Sequence, residues 1–366
     1  MSSLFLDNSI APDEIKSQLK VLSRDIRFSR EVTKGGNGYL FFGENRILNT
    51  KVAVKFYYWG GDAKYHAEPN TLASINSPHI LSVQSAGLID GEWAYFVTPY
   101  CSRGDMDDVI EQTELGNTKA IDFTCELLIG VGALHEKRFL HRDLKPANIY
   151  VGDEEQSIIG DFGSIKYMPV GMDSIPASSH SILYRPPESI ETNSYGFAGD
   201  IYQSGIVLYQ LLGGFLPYDE TSWLSKSERK RYNDLGPSDD RSIFVDQCLK
   251  TKIKRGRIID LSSLPPWVPE KLKRTISRAT NINPRKRFPT ASAFHVHLNN
   301  LRPVIPDWVI EQGVPVMRGA TSFRICYGDN ELYYVQKSCN CGQWRRDNSF
   351  NSTTISGIAA EINERV

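Results

Sequence analysis

The chain has 366 residues, of which 40% are hydrophobic and 23% charged, the ordinary balance of a globular protein. The formal net charge of −1 gives no electrostatic reason to expect a nucleic acid or another polyanion as partner. No basic start followed by an apolar run marks a secretory signal, and the six cysteines are scattered rather than paired. We therefore expect a cytoplasmic protein in a reducing compartment, without a membrane anchor.

The first hundred residues predict mainly strands. Pro12 to Leu22 has the pattern of a short amphipathic helix with its proline near the start. Phe28 to Phe56 and Ile80 to Val97 are rich in β-branched and aromatic residues between turn residues, which is typical of strands. Tyr65 to Asn76, between them, is predicted to be helical.

After Tyr100 the pattern is mostly helical, with short strands expected around Ile149 and Ile158. The most apolar stretch, Ile201 to Leu216, is too short for a membrane span and predicts a buried helix. A small β-rich lobe followed by a larger helical lobe predicts a two-lobed α+β fold with a cleft.

The C-terminal segment, residues 302–366, is expected to be a small α+β extension of unspecified role. Arg302 to Pro306 resembles a boundary because its prolines end a helix and stiffen the chain. Ser322–Tyr327 and Leu332–Ser338 alternate like two strands, and Ser356–Arg365 predicts a closing helix. The predicted organisation is an extension over residues 1–27, a main domain over 28–301 and this segment.

Three motifs carry the chemistry. The strongest is His141–Asn148, which reads His-Arg-Asp-Leu-Lys-Pro-Ala-Asn. Asp161–Gly163 (Asp-Phe-Gly) follows it, and Val52–Lys55 (Val-Ala-Val-Lys) lies upstream on a predicted strand. Together these segments resemble the eukaryotic-type protein kinase family over about residues 28–301.

The resemblance implies a role for the polar and charged side chains of these motifs. Asp143 would accept or orient the proton of the acceptor hydroxyl, since a carboxylate does this at neutral pH without tuning. Lys145 would place a cation at the γ-phosphate of ATP. Asn148 and Asp161 would be the oxygen ligands that Mg²⁺ requires.

Lys55 would contact the α- and β-phosphates and needs a carboxylate to hold its long side chain. Glu68 is the candidate partner at the spacing the family shows. Pro69 directly follows it and removes a helix donor, so the helix is expected to begin near Glu68 or to bend there.

The nucleotide site is implied by a glycine-rich turn and by a hinge. Gly36 and Gly38 would let the backbone approach the phosphates, but Phe41 stands where the family has a third glycine. The remaining contacts to the nucleotide are assigned by resemblance to Ala53, to the gatekeeper Thr98, to Cys101 in the hinge and to Asp105, which resembles the residue that contacts the ribose or the peptide.

The acceptor class follows from two features of the same resemblance. Lys145 followed by Pro146 is the Ser/Thr kinase pattern, and Ser181 stands where such enzymes place a residue that bonds the catalytic aspartate. The implied activity is transfer of the γ-phosphate of ATP to Ser or Thr of a protein substrate. Arg142 before Asp143 implies phosphorylation of the activation segment, with Ser174, Ser178 and Ser179 as candidates.

Three alternatives stay open. The altered glycine turn and Pro69 leave room for a pseudokinase that acts as a scaffold or switch. A small-molecule kinase is disfavoured by the 24 residues between Gly163 and Glu188, enough for a peptide platform. Third, the C-terminal segment could itself bind a partner.

Two features of the C-terminal segment bear on that third alternative. Its cysteines (Cys326, Cys339 and Cys341) lack zinc-site spacing. Its Trp344-Arg345-Arg346 run is basic and aromatic, although a small domain with its own core is the favoured interpretation.

Overall fold

The computed structural model describes residues 9–32, 38–89, 91–113, 115–177, 181–236, 239–328, 332–340 and 342–365. The chain falls into two compact units, one within residues 1–105 and 148–165 and the other within 106–147 and 166–366. The first is dominated by a sheet and the second by helices, as expected for a β-rich lobe and a helical lobe. Within the described ranges, no helix has both the length and the apolar composition that a bilayer crossing requires.

The first unit is built on a five-stranded antiparallel sheet. Its elements, in chain order, are α1 (Asp13–Leu22), β1 (Ile26–Val32), β2 (Gly38–Asn45), β3 (Thr50–Tyr58), α2 (Ala67–Ser74), β4 (Ser85–Leu88), β5 (Trp93–Pro99) and the hairpin β7 (Ile149–Val151) and β8 (Ser157–Ile159). The sheet order is β1-β2-β3-β5-β4. The predicted helix at Pro12–Leu22 is confirmed, with Pro12 capping it, and β1 begins two residues before the predicted boundary at 28.

Two predicted elements in this unit are longer than the elements of the structure. The helix expected over Tyr65–Asn76 is a short 3₁₀ turn (Ala63–His66) followed by α2, because Pro69 can be accommodated only in the first turn of a helix. The strands expected from Ile80 onward begin only at Ser85. Ile80 makes a single bridge to Ile159 instead.

The helix α1 packs on the sheet and belongs to its core. Ile15 and Leu19, spaced four residues apart on one face, are buried together with Ile26 and Phe28 of β1. Of the predicted N-terminal extension, residues 11–26 therefore contribute side chains to the hydrophobic core of this unit.

The second unit contains the helices. In chain order they are α3 (Met106–Gln112), α4 (Asn117–Glu136), α5 (Pro187–Glu191), α6 (Phe197–Leu211), α7 (Lys226–Asp234), α8 (Asp239–Lys254), α9 (Glu270–Ala279), α10 (Ala291–Leu301) and the C-terminal α11 (Ile355–Arg365). The helix α6 is buried over almost its whole length, in agreement with the prediction from its apolar sequence. Short strands interleave with these helices: β6 (Phe139–Leu140), β9 (Lys166–Tyr167), β10 (Ile175–Pro176) and β11 (Ser194–Tyr195).

The C-terminal segment forms a second five-stranded sheet. Its strands are β12 (Asp307–Glu311), β13 (Val314–Arg318), β14 (Thr321–Tyr327), β15 (Tyr333–Cys339) and β16 (Arg345–Asp347). They follow one another as an antiparallel meander, and α11 covers one face. Trp308, Phe323, Ile325 and Val335 pack with α11 in a separate core cluster.

This segment packs against the helical unit rather than standing apart. The rings of Trp267 and Trp308 stack with their centres 6.1 Å apart. The side-chain amide of Asn117, at the start of α4, donates to the carbonyl oxygens of Trp267 (3.2 Å) and Pro306 (3.3 Å). A side chain at Gly116 would approach the Trp308 carbonyl oxygen to 2.3 Å, so this position requires glycine. The segment therefore shares one compact unit with the large lobe.

The outer face of the C-terminal sheet carries the basic and aromatic residues that the sequence pointed out. The guanidinium of Arg324 lies 4.6 Å from the ring centre of Trp344, and that of Arg346 lies 4.7 Å from Tyr334. The opposite face holds the apolar core. The favoured interpretation, a small domain with its own core, agrees with this packing.

Glu228 gives a pH-dependent contribution to stability. It forms a capping box with Ser225 at the start of α7, with Ser225 N donating to Glu228 Oε2 at 2.7 Å, and it pairs with Lys252 at 3.2 Å. The hydrogen bonds from Ser225 are the largest cause that lowers its pKa to about 2. Because the folded pKa lies below the unfolded value of about 4.3, the stabilisation is present above that pH and is lost as pH falls toward 2.

We expect Glu228→Gln, which can keep the capping hydrogen bond but removes the charge beside Lys252 and the helix N-terminus, to lower the free energy of unfolding by about 1 kcal/mol at pH 7. In urea unfolding, the difference in the free energy of unfolding between wild type and Glu228→Gln should be smaller at pH 3.5 than at pH 7. The matched control is Glu191→Gln on the exposed end of α5. A difference that stays constant with pH would contradict the assignment.

Candidate active site

The loop between β6 and β7 brings the predicted catalytic pair together. Lys145 Nζ donates to Asp143 Oδ2 at 2.9 Å and to Ser181 Oγ at 2.7 Å. Asp143 is largely buried, and Lys145 is about one quarter exposed. A carboxylate, an ammonium group and a hydroxyl are thus fixed around one point, which is the arrangement that can orient an acceptor hydroxyl and neutralise a phosphate.

Asp200 at the start of α6 holds this loop in place. Its Oδ2 accepts the amide of His141 (3.0 Å) and its Oδ1 the amide of Arg142 (3.0 Å), while His135 Nε2 lies 2.8 Å from Oδ2. Burial pushes the pKa of Asp200 upward, but the bonds from His135 and the Arg142 amide outweigh it, so the pKa lies below its usual value. The carboxylate therefore stays charged and fixes the backbone beside Asp143.

Gln203, one turn further along α6, completes the support. Its Oε1 accepts the amide of Leu144 at 2.9 Å, and its Nε2 donates to the carbonyl oxygens of Arg142 and Tyr184, both at 3.3 Å. The sequence analysis predicted only that the stretch containing Gln203 forms a buried helix. A buried amide in an otherwise apolar helix requires partners, and that signal would have marked it as a positioning residue.

Three site residues other than glycine adopt positive φ: Arg142 (72°), Asp161 (51°) and Ser181 (28°). This region costs a residue with a side chain about 1–3 kcal/mol, and it persists only where surrounding contacts impose it. The hydrogen bonds of Arg142 to Asp200 and of Ser181 to Lys145 supply such contacts.

The end of the activation segment is anchored by an ion pair. Glu188 accepts two hydrogen bonds from Arg287, Nη1 to Oε1 and Nη2 to Oε2, both at 2.7 Å. The Arg287 side chain is fully buried, so this is a fork-to-fork pair shielded from water. Ser174 lies in the described part of the segment, whereas Ser178 and Ser179 lie outside the described residues.

In the sheet unit, Lys55 and Glu68 meet as the spacing suggested. Lys55 Nζ donates to both carboxylate oxygens of Glu68 at 2.8 Å. Pro69 falls in the first turn of α2, where its missing N–H has no intrahelical partner to lose, so it does not displace Glu68. The lysine is thereby held on β3 with its charge paired.

Asn148 and Asp161 lie at the same end of the β7–β8 hairpin. Ile149 pairs with Ile159, and the amide of Gly160 donates to the Asn148 carbonyl oxygen at 2.9 Å, so Asn148 and Asp161 flank the hairpin end. One amide oxygen and one carboxylate suit Mg²⁺, which is held by one or two protein oxygens together with phosphate and water. The donor set fits the metal that the family resemblance implies.

The glycine-rich turn is only partly covered by the structure, because Gly36 lies outside the described residues. Gly38 begins β2, where a side chain would approach the Phe56 carbonyl oxygen to 2.3 Å, so sheet packing alone requires glycine there. Phe41 points into the core and contacts Phe28 and Phe56 edge to face. The residue in place of the third family glycine therefore serves the core of this unit.

The expected hinge lies where β5 ends. Ala53 pairs with Thr98 across β3 and β5, and Thr98 is buried. Burial, with a smaller contribution from the Asp153 charge, raises the pKa of Cys101 to about 11, so its thiol is not a nucleophile at neutral pH. Asp105 bridges to Tyr150 at the start of the hairpin that carries Asn148.

Two lobes of these kinds, with the Lys55–Glu68 pair and the Asp143–Lys145 pair, are the parts of a phosphotransferase of the protein kinase class. A family model for the protein kinase domain matches residues 26–298, and the chain belongs to that family.

The relatives of this chain include proteins named as serine/threonine kinases and one named as a tyrosine kinase. The chain is 32% identical over 210 residues to 3-phosphoinositide-dependent protein kinase B of Dictyostelium discoideum (53% of this chain and 22% of the relative). It is 25% identical over 278 residues to a probable serine/threonine-protein kinase, PknB, of Lactococcus lactis (74% and 40%). It is 24% identical over 278 residues to the tyrosine-protein kinase receptor svh-2 of Caenorhabditis elegans (69% and 25%). The matches thus span less than half the length of each of these relatives.

Proposed function

We propose that this chain is an ATP-dependent protein kinase that transfers the γ-phosphate to serine or threonine hydroxyls of protein substrates and autophosphorylates its activation segment. The observation that carries the proposal is Lys145, whose Nζ bridges Asp143 Oδ2 and Ser181 Oγ. A scaffold that had abandoned transfer would not need a buried carboxylate, a lysine and a strained serine held together at some cost in backbone energy.

Each residue then has a defined task. Asp143 accepts the hydrogen bond of the acceptor hydroxyl and aligns its oxygen for attack, and Lys145 offsets negative charge beside it. Lys55, oriented by Glu68, binds nucleotide phosphate oxygens. Asn148 and Asp161 would hold magnesium, and bound Mg²⁺–ATP supplies the phosphoryl group and charge neutralisation.

The preference for Ser and Thr rests on Lys145 and Ser181. Their 2.7 Å hydrogen bond joins the catalytic loop to the activation segment, as the Ser/Thr pattern of the family implies. Names among the relatives include both serine/threonine and tyrosine kinases, so the acceptor class needs a direct test.

The test compares three peptides that differ only in the acceptor: serine, threonine or tyrosine. We expect phosphate transfer from Mg²⁺–ATP to the first two at rates at least tenfold above the third. Mass spectrometry of the protein in the same reaction should show added phosphate on the activation segment, where Ser174, Ser178 and Ser179 are the candidate sites. The Asp143→Asn protein provides the background.

Preference for tyrosine would overturn the acceptor class while leaving the kinase assignment. ATP binding without transfer to any acceptor, equal to the Asp143→Asn background, would favour the alternative of a pseudokinase scaffold.

A further inference from the structure

A row of three polar side chains crosses the C-terminal sheet, outside the residues 26–298 that the kinase family model matches. Arg324 of β14 pairs with Gln336 of β15, which pairs in turn with Arg346 of β16. Residues directly opposite each other on neighbouring strands share one face of a sheet. Since neighbouring strands lie about 4.8 Å apart, the backbones of the two arginines are roughly 10 Å apart, with Gln336 between them.

Both arginines are held in place by aromatic rings. The Arg324 guanidinium lies 4.6 Å from the ring centre of Trp344, and its Nε donates to Gln336 Oε1 at 2.7 Å. The Arg346 guanidinium lies 4.7 Å from the ring centre of Tyr334. A guanidinium that stacks on a ring keeps its outer N–H groups for an acceptor, and it loses less side-chain freedom when an anion binds. The row is therefore preorganised for an anionic group.

The positive charge of this face is not balanced. Among the described residues, neither Arg324 nor Arg346, nor the exposed Arg345 beside it, takes part in an ion pair. The ion pairs of the sheet and of α11 join other residues: Glu311 with Arg318 (2.7 Å), Asp347 with Lys337 (3.1 Å) and Glu361 with Arg365 (3.6 Å). The face therefore favours an anionic partner.

A single phosphoryl group suits this face better than a nucleic acid. Residues 302–366 contain seven Lys and Arg against seven Asp and Glu, so the positive charge is local to the row. A protein that binds a nucleic acid backbone commonly makes about six to ten phosphate contacts, more than this row offers. One face of the Trp344 ring and one of the Tyr334 ring are covered by guanidinium groups, which leaves less aromatic surface for stacking bases. A phosphate monoester, with a charge of about −1.5 to −2 and three acceptor oxygens, can be matched by two arginines.

We propose that the row formed by Arg324, Gln336 and Arg346 binds a phosphorylated serine or threonine of a protein partner. The choice of these two phosphorylated residues rests on the proposed function, whose products they are, whereas binding itself requires no catalysis by this chain. The two guanidinium groups donate to the phosphate oxygens from either side, and the amide nitrogen of Gln336 donates between them.

The edge of the sheet offers a place for the backbone of the partner. β16 is the last strand in the order β12-β13-β14-β15-β16, so one side of its backbone forms an edge of the sheet. An extended peptide can add to such an edge through main-chain hydrogen bonds, and its alternate side chains then point to the face that carries Arg346. A phosphorylated residue at one of those positions lies beside the row. Inorganic phosphate lacks the backbone contacts and should bind more weakly.

The experiment uses the full chain without nucleotide, so that binding is measured independently of phosphoryl transfer. The probes are two fluorescein-labelled mixtures of short peptides with randomised flanks, one with a central phosphoserine and one with a central serine. We expect fluorescence anisotropy to show that the phosphoserine mixture binds at least about tenfold more tightly than the serine mixture.

The variant Arg324→Gln/Arg346→Gln should reduce this phosphoserine-to-serine ratio to below about threefold, because both charged donors are lost. Arg346→Gln alone, at an exposed position, should give an intermediate ratio. The matched control is Arg318→Gln, which removes an arginine of the same sheet that is paired with Glu311, and it should leave the ratio unchanged. Equal Tm values would show that the variants fold.

A wild-type ratio near one, or a ratio that survives the double substitution, would overturn the inference. So would binding of inorganic phosphate as tight as that of the phosphoserine mixture, or tighter binding of a single-stranded oligonucleotide that the double substitution abolishes. Absence of transfer to every acceptor peptide, with the binding ratio intact, would count against the proposed function alone. Loss of the ratio with transfer intact would count against this inference alone.

Discussion

Replacing Asp143 by asparagine is expected to slow phosphoryl transfer by about 10²–10⁴-fold, the usual worth of a positioned general base. The amide keeps the size of the carboxylate but loses its negative charge, so it accepts a weaker hydrogen bond from Lys145 and orients the acceptor hydroxyl less well. ATP affinity should change by less than about threefold, since Asp143 is assigned to the acceptor hydroxyl and not to the nucleotide. Steady-state transfer to a serine peptide and equilibrium binding of ATP measure the two effects separately.

A comparison with Lys55→Met tests whether Asp143 acts on the acceptor hydroxyl or on the nucleotide. Lys55 is assigned to the nucleotide phosphates and is paired with Glu68, so its loss should weaken both ATP binding and transfer. If Asp143→Asn retained the full transfer rate, or weakened ATP as much as Lys55→Met did, the assignment of Asp143 to the acceptor hydroxyl would be wrong.

Trp308→Ala is expected to lower the free energy of unfolding by about 3–5 kcal/mol, the range for removing a large buried aromatic side chain. Trp308 is fully buried, its Nε1 donates to Asn363 Oδ1 at 2.7 Å, and its ring stacks on Trp267. It therefore joins three parts of one unit: the C-terminal sheet, α11 and the helical lobe. Urea unfolding followed by tryptophan fluorescence and by far-ultraviolet circular dichroism checks the size of the effect.

Trp308→Phe is the matched control for this prediction. Phenylalanine keeps part of the ring packing but loses the N–H bond to Asn363 and some of the buried volume, so a smaller loss than for alanine, about 1–3 kcal/mol, is expected. Should Trp308→Ala unfold residues 302–366 and leave the unfolding of the lobe unchanged, the C-terminal segment would be an appendage and not part of the large unit.

The order of elements and the catalytic motifs could be taken from the sequence because they depend on local signals. His141–Asn148 and Asp161–Gly163 are contiguous motifs that can be recognised in the sequence without knowledge of the fold. The buried helix α6 followed from composition alone. Glu68 was selected by spacing, although Pro69 made its position ambiguous until the first turn of α2 was located.

Other features could not be predicted because they depend on residues distant in the chain. The pairing of Asp200 with the amides of His141 and Arg142 spans almost sixty residues. The local pattern shows Gln203 as a polar residue in an apolar stretch, but it does not show which backbone groups Gln203 binds, nor that Asp107, Tyr218 and Glu220 lie near Lys145. Such contacts are chosen by packing and by the need to satisfy buried polar groups.

The sequence by itself determined that this chain is a kinase-like α+β protein with the catalytic residue types of the family. Those residues stand in short contiguous motifs, so they can be recognised without knowing which segments meet in the fold. Only the tertiary structure decided that Phe41 serves the core, that α1 belongs to the small unit and that the C-terminal sheet is part of the large one. The reason is physical: a period of two or of 3.6 tells which face of an element is apolar, but not which distant surface will cover it.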